Sequence, residues 1–289
     1  MYVKKITFMT GCLLLLSHLV AANQLVRYNI SEQYPDPKQA YYIDLLALAL
    51  EETKQEYGGY FMQPIPVEMS QGRTSIMVEL DHGIDVTWRM TSADSENRML
   101  AVYFPLLKGL MGNRIFIIRK GEQSRFPKDI TFSALTDMIA GQGHDWPDNE
   151  ILHHNEVKVT TGTGHTLLTM LTKGRFDYFP RALHEPWIEI KEKPNYVVES
   201  NLMFQYPAPL YFFVNKENTH LRDRITLGLN KALINGKFET FFNEHPITRD
   251  ILSSADIANR KVFYFENPLL TPETKSIIAD KRLWLNKVE

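Results

Sequence analysis

The chain has 289 residues, 44% of them hydrophobic, and 32 Lys and Arg against 34 Asp and Glu give a formal charge of -2. That content can bury a core, as one large domain or two lobes. The mildly acidic balance offers no basic stripe for a phosphate backbone, which excludes nucleic acid as a partner.

Lys4 and Lys5 precede the apolar run Ile6–Val20, and Val20 and Ala22 hold the small-residue positions of a cleavage site. The pattern predicts a signal peptide over residues 1–22, cut before Asn23. The run is too short, and with His18 too polar, for a membrane span. Cys12, the only cysteine, lies inside it, so the cleaved chain would contain none, excluding disulfides and thiol chemistry together.

Beyond that segment, Gln24–Ile30 alternates as a first strand. Pro35 and Pro37 mark a loop, and Gln39–Glu52 sets Tyr42, Leu45, Leu46, Ala49 and Leu50 on one helical face. A strand over Phe61–Glu68, a helix over Gln71–Glu79 and a strand over Gly83–Trp88 follow. This βαβαβ order builds a parallel sheet with right-handed crossovers. Met90–Arg98 reads as a polar loop leading to Ala101–Leu107, and Arg114–Arg119 is a compact β run opening a second lobe.

The second lobe centres on Val157–Arg181, a strand, a Gly and Thr turn, an amphipathic helix through Leu167, Leu168, Met170 and Leu171, a stop at Gly174 and another strand. Thr163 is expected to cap that helix, and Asp145 one running through Trp146 to Leu152. Ala182–Lys191 reads as helical, and Tyr196–Met203 and Pro209–Asn215 as extended. Leu221, Ile225, Leu229 and Leu233 recur every four residues, a helix with a buried stripe. A short Phe238–Phe242 helix, an extended VFYF segment and a terminal helix around Lys275–Leu283 complete the chain.

No HExxH, Walker lysine loop, GxGxxG or GxSxG occurs, and the adjacent His153 and His154 point apart. No cofactor or metal is implied, and the residues point to binding rather than catalysis. Open α/β sheets place ligands beyond the carboxyl ends of their strands, which singles out Arg98 in the first lobe and Arg181 in the second as guanidinium clamps for an anion. Trp88, Trp146 and Tyr178 are candidate flat walls. The turn Gly141–Asp145, with Gln142, Gly143 and His144, offers backbone N–H groups at a helix terminus.

Three segments carry a resemblance: DVTWRMTSADSENRMLAVYFP, LTDMIAGQGHDW with the later LTKGRFDYFP, and LNKALINGKFETFFNEH. Across nearly all of the chain after Ala22, it resembles the type 2 periplasmic solute-binding proteins, specifically the family (family 3) that captures polar amino acids for ABC importers. The resemblance implies an α/β fold of two lobes, each a mainly parallel sheet flanked by helices, closing on a ligand by hinge motion. It implies that Arg98 binds a ligand carboxylate, that Gly141–Asp145 is the anion-binding turn, and that Asp177 is structural. Two positions depart from the pattern. Pro105 replaces the serine that follows Phe104, and Ala182, beside Arg181, stands where the aspartate for a ligand amine belongs. A cation there would repel an amine unless Glu185 folds back over it, so the expected ligand is a small carboxylate or other anion.

The implied organisation is lobe one over residues 23–114, lobe two over 115–215, and a return to lobe one over 216–289, with hinge crossings near Arg114–Arg119 and Leu210–Asn215. The expected protein is a periplasmic monomer that takes a small-molecule ligand, amino acid-like or another anion, and hands it to an ABC permease or presents it to a membrane sensor. A ligand-free interaction protein and an exported enzyme on the same scaffold remain alternatives.

Overall fold

The structure, a computed structural model, describes residues 23–285. The expected signal segment, residues 1–22 with Cys12, lies outside the described residues. Strands run over Gln24–Ile30 (β1), Tyr60–Pro66 (β2), Val86–Met90 (β3), Leu100–Val102 (β4), Asn113–Arg119 (β5), Ile139–Gly143 (β6), Lys158–Gly162 (β7), Phe179–Ala182 (β8), Tyr196–Val198 (β9), Leu202–Gln205 (β10), Leu210–Val214 (β11) and Lys261–Tyr264 (β12).

They form two layers. The first sheet has the order β2-β1-β3-β11-β4, and the second β12-β10-β5-β8 with β9 also on β5. The parallel pair β6 and β7 joins the second through a bridge from Ala140 to Tyr178. β11 runs antiparallel to β3 and β4, and β5 runs antiparallel to β8, β9 and β10. Each sheet is therefore parallel in strand direction except for one reversed strand.

The reversed strands have a common cause. Parallel neighbours need a crossover connection, usually a helix. β5 and β11 instead arrive directly from the other sheet through residues 103–112 and 206–209, and they insert reversed.

Helix Gln39–Glu52 lays Tyr41, Leu45, Leu46 and Ala49 on the first sheet, and helix Thr219–Ile234 covers it with Leu221, Ile225 and Leu229, the stripe expected from their spacing. Gly228 lets these two helices touch backbone to backbone, since a Cβ there would lie 1.9 Å from the Ala49 carbonyl oxygen. On the opposite face helix Gln71–Glu79 contributes Val78 to a core with Ile84, Met99, Tyr211 and Phe213. The second sheet buries Phe116, Phe126, Tyr178 and Phe204 on one side and Leu167, Leu171, Phe176 and Phe179 on the other. No helix among the described residues is long and apolar enough to cross a membrane.

Some local expectations need correction. Met90–Arg98 is not all loop: Ser92 Oγ accepts the Ser95 N–H at 3.2 Å and starts a helix over Ala93–Arg98. Thr163 gives no side-chain cap, because a short 3-10 turn over Gly164–Thr166 intervenes before helix Leu167–Thr172. Asp145 does not cap the helix Asp148–His154, which begins after Pro147. The tail does not wholly return to the first lobe either. β12 adds to the edge of the second sheet, parallel to β10, with the Lys261 N–H on the Asn201 carbonyl at 2.7 Å. Only beyond it do the Thr271 and Thr274 hydroxyls return to Glu96 of the first lobe, at 2.6 and 2.7 Å.

Candidate functional site

The loops at the carboxyl ends of β1, β2, β6 and β7 converge, as expected for open α/β sheets. Between the two sheets they enclose a cavity of about 900 Å³. Ser31 follows β1, Glu68 to Ser70 follow β2, and Trp88 projects from β3. Facing them are His144 to Trp146 beyond β6, Thr163 to His165 beyond β7, and Phe179 and Arg181 from β8.

The floor is a buried ion network. Arg181 lies against two aromatic rings, its Cζ 4.7 Å from the Trp146 ring centre and 4.8 Å from that of Phe179. Its Nη2 donates to Glu185 Oε1 at 2.7 Å and Glu189 Oε1 at 2.6 Å, and its Nε to Glu189 Oε2 at 2.8 Å. Glu185 has thus folded back over Arg181, helped by the Ala182 N–H on its Oε2 at 2.8 Å. Nη1 of Arg181 has no partner among the described residues.

Burial on its own would raise the Glu189 carboxyl, but Arg181 and Lys38 outweigh it and hold the group at about 2. Behind the floor, Arg114 donates to Tyr206 Oη at 3.0 Å and pairs with Asp148 at 2.7 Å. His184 is buried beside Lys38, Arg181 and Arg114. Burial first, then those cations, drive its pKa well below the usual value, so its ring is neutral.

Aromatic groups form the walls. Trp88 stacks on Tyr42 with centroids 5.5 Å apart, and Trp146 on Phe179 at 6.3 Å. Several contacts cross the cleft. Tyr34 stacks on His165 at 4.4 Å, Lys38 Nζ reaches Glu189 Oε1 at 3.0 Å, and Tyr42 Oη lies 3.3 Å from His184 Nε2. Asp145 Oδ2 accepts the Gly72 N–H at 2.8 Å, so it serves the start of helix Gln71–Glu79 in the facing lobe.

Of the residues singled out from sequence, Trp88, His144, Trp146 and Arg181 line this cavity. Arg98 does not. It ends the helix Ala93–Arg98 and binds Glu79 and, at 3.3 Å, Asp94, partly exposed and away from the cleft. Gln142 is wholly buried under the lining, with Nε2 3.5 Å from the Pro180 carbonyl. Gly143 serves as a seat for a wall residue, since a Cβ there would meet Trp146 Cε2 at 2.3 Å.

Tyr178 is core, packed on Phe116 at 4.8 Å, with a buried hydroxyl that has no partner among the described residues. Replacing an unpaired buried hydroxyl costs nothing in hydrogen bonding. Tyr178→Phe is therefore expected to keep or raise the melting temperature and to leave solute binding unchanged; a loss in either thermal or binding assays would restore Tyr178 to the site.

Sequence reasoning missed Lys38, Asp36, Tyr42, His165 and Glu189 as cleft residues. Lys38 had one local signal, the Pro-Asp-Pro-Lys run that fixes it at the mouth of a helix. Among the described residues no group of three His, Cys, Asp or Glu is placed to hold a metal ion.

No protein-family model and no curated protein matches the chain. Its fold is nevertheless that of the two-lobed type 2 periplasmic binding proteins. A Salmonella typhimurium periplasmic binding protein with high arginine specificity superposes with a TM-score of 0.57 at 13% identity, over 76% of this chain and 98% of that one. An ancestral arginine-binding protein bound to arginine gives 0.56 at 15% identity, over 77% and 98%. A putative ABC-transporter binding component from Wolinella succinogenes, complexed with lysine, gives 0.54 at 14% identity, over 76% and 94%.

Proposed function

We propose that the protein is an exported, periplasmic solute-binding protein that closes its two lobes on one small polar molecule for delivery to an ABC permease or for presentation to a membrane sensor. The observation that carries this reading is the cavity between the lobes, with flat aromatic walls and one unpartnered guanidinium nitrogen, Arg181 Nη1. Pockets of this build bury most of a small ligand and orient it with a few polar groups. Residues 103–112 and 206–209, which carry the chain between the sheets into β5 and β11, are the natural hinge segments, rather than the strands themselves. One copy supplies the whole cleft, and no catalytic step is part of the proposal.

A carboxylate of the solute is assigned to Arg181 Nη1. The lining sets three cationic side chains, Lys38, Arg181 and Lys193, against five carboxylates, Asp36, Glu68, Asp145, Glu185 and Glu189. That balance favours a carboxylate solute with a compensating positive group over a dicarboxylate.

The test is a thermal-shift screen of protein unfolded and refolded to strip carried-over ligand, against amino acids, dicarboxylates and other small anions. A saturable rise for an amino acid-like solute is expected. Arg181→Lys keeps the charge that neutralises Glu185 and Glu189 but loses the planar fork. At about 1.5–3 kcal/mol for a charge-assisted hydrogen bond, it should weaken binding about ten- to a hundredfold. A dicarboxylate hit with no amino acid hit would refute the charge assignment. A second reading, a ligand-free interaction protein, is favoured by one observation, the polar contacts by which the chain already bridges its own cleft; a uniformly negative screen would support it.

A further inference from the structure

Lys38 is the one lysine or arginine of the first lobe among the residues lining the cleft. Its side chain is only 11% exposed, and its Nζ lies 2.9 Å from Asp36 Oδ1 in its own loop and 3.0 Å from Glu189 Oε1 in the facing lobe. The loop is prepared for this. Pro35 and Pro37 flank Asp36, and Asp36 Oδ1 also accepts the Lys38 backbone N–H at 3.0 Å. The contact with Glu189 bridges the two lobes. A molecule shifts an open–closed equilibrium only through contacts that differ between the two forms, and this one needs both lobes together.

We propose that Asp36 and Glu189 form a two-carboxylate cation site across the cleft and that the tethered ammonium of Lys38 fills it. Lys38 thereby does the lobe-bridging work of a solute's positive group. The tether holds the ammonium at high local concentration, and partial burial strengthens its attraction to Glu189 over that of an exposed pair. The ligand-free protein is therefore predominantly closed. Lys38 is also a specificity-determining residue: a solute's cationic group must either displace it from Glu189 or bind elsewhere along the walls. The closure rests on the fold and on this ion pair, and only the specificity role rests on the solute reading.

The test is an interlobe distance measured by pulsed electron paramagnetic resonance. Spin labels are attached through Arg73→Cys and Lys173→Cys, exposed positions on the two lobes, in a Cys12→Ser background, on refolded protein with no solute added. The background protein is expected to give one short-distance population and Lys38→Ala a shift to longer distances. Lys38→Arg should keep the short one. 1-Propylammonium, which replaces the atoms removed by Lys38→Ala, should restore it, and 1-propanol should not. A long distance in the background protein, an unshifted Lys38→Ala, or equal rescue by 1-propanol would overturn the proposal. Because no solute is present, failure here leaves the solute-binding reading standing, and a negative solute screen leaves this one standing.

Discussion

Replacing Arg114 by methionine is expected to destabilise the protein by about 3–5 kcal/mol, the range for breaking a buried ion pair from one side. Arg114 is the second residue of β5, where the chain enters the second lobe, and its side chain is 1% exposed. Its guanidinium meets Asp148 at 2.7 Å, Tyr206 Oη at 3.0 Å and Glu185 at 3.6 Å. With it gone, the Asp148 carboxylate stays buried with only the Tyr206 hydroxyl as a donor. Much of the loss comes from that stranded charge, so adding Asp148→Asn should recover part of it. Urea unfolding of the single and double variants measures both. A loss below about 1 kcal/mol, the upper range for exposed pairs, would mean that the network is solvated.

Arg181→Met is expected to cost a similar amount, about 3–5 kcal/mol at pH 7, because it takes the main cation from two buried carboxylates, leaving Glu189 with Lys38 at 3.0 Å and Glu185 with the Ala182 N–H and the more distant Arg114 at 3.6 Å. This loss should depend on pH. In the native protein the Glu189 carboxyl sits at about 2, below its ordinary 4.5. A depressed carboxyl contributes stability that is fully present above 4.5 and is lost as pH falls towards 2. Removing Arg181 removes the main cause of the depression, so the variant's carboxylates take up protons at higher pH and shed their repulsion. The gap between wild type and variant should therefore narrow from pH 7 to pH 4 in urea unfolding. An unchanged gap would show that Arg181 acts through packing on Trp146 and Phe179 rather than through charge.

Where periodicity ruled, the sequence was legible. β1 and the helix Gln39–Glu52 fall where apolar spacing put them, because each buries one face in the first core. The cleft was legible only in part. Trp88, Trp146 and Arg181 lie at strand ends or in the loops beyond them, where the open-sheet rule applies. Arg98 failed because the same rule cannot say which way a side chain turns on a short helix, and Glu79 and Asp94 draw it outward. Tyr178 failed through alternation. It lies next to the strand residue Phe179, but its ring points into the Phe116, Phe126 and Phe204 core.

Lys38 and Glu189, separated by 151 residues, meet only because the two lobes face each other. No local pattern encodes that meeting. β12 was missed as a second-lobe strand for the same reason, since a short extended segment does not announce which sheet it will extend.

The central claim is that one small polar solute binds between the lobes. It is tested most directly by isothermal titration of the best solute from the screen into refolded wild-type protein, Arg181→Lys and Trp88→Ala. The account predicts one site per chain, a negative heat-capacity change from burial against the aromatic walls, and a loss of affinity of about tenfold or more in Arg181→Lys, equivalent to about 1.4 kcal/mol. A solute that bound both variants as tightly as wild type would place the site outside this cleft and contradict the account.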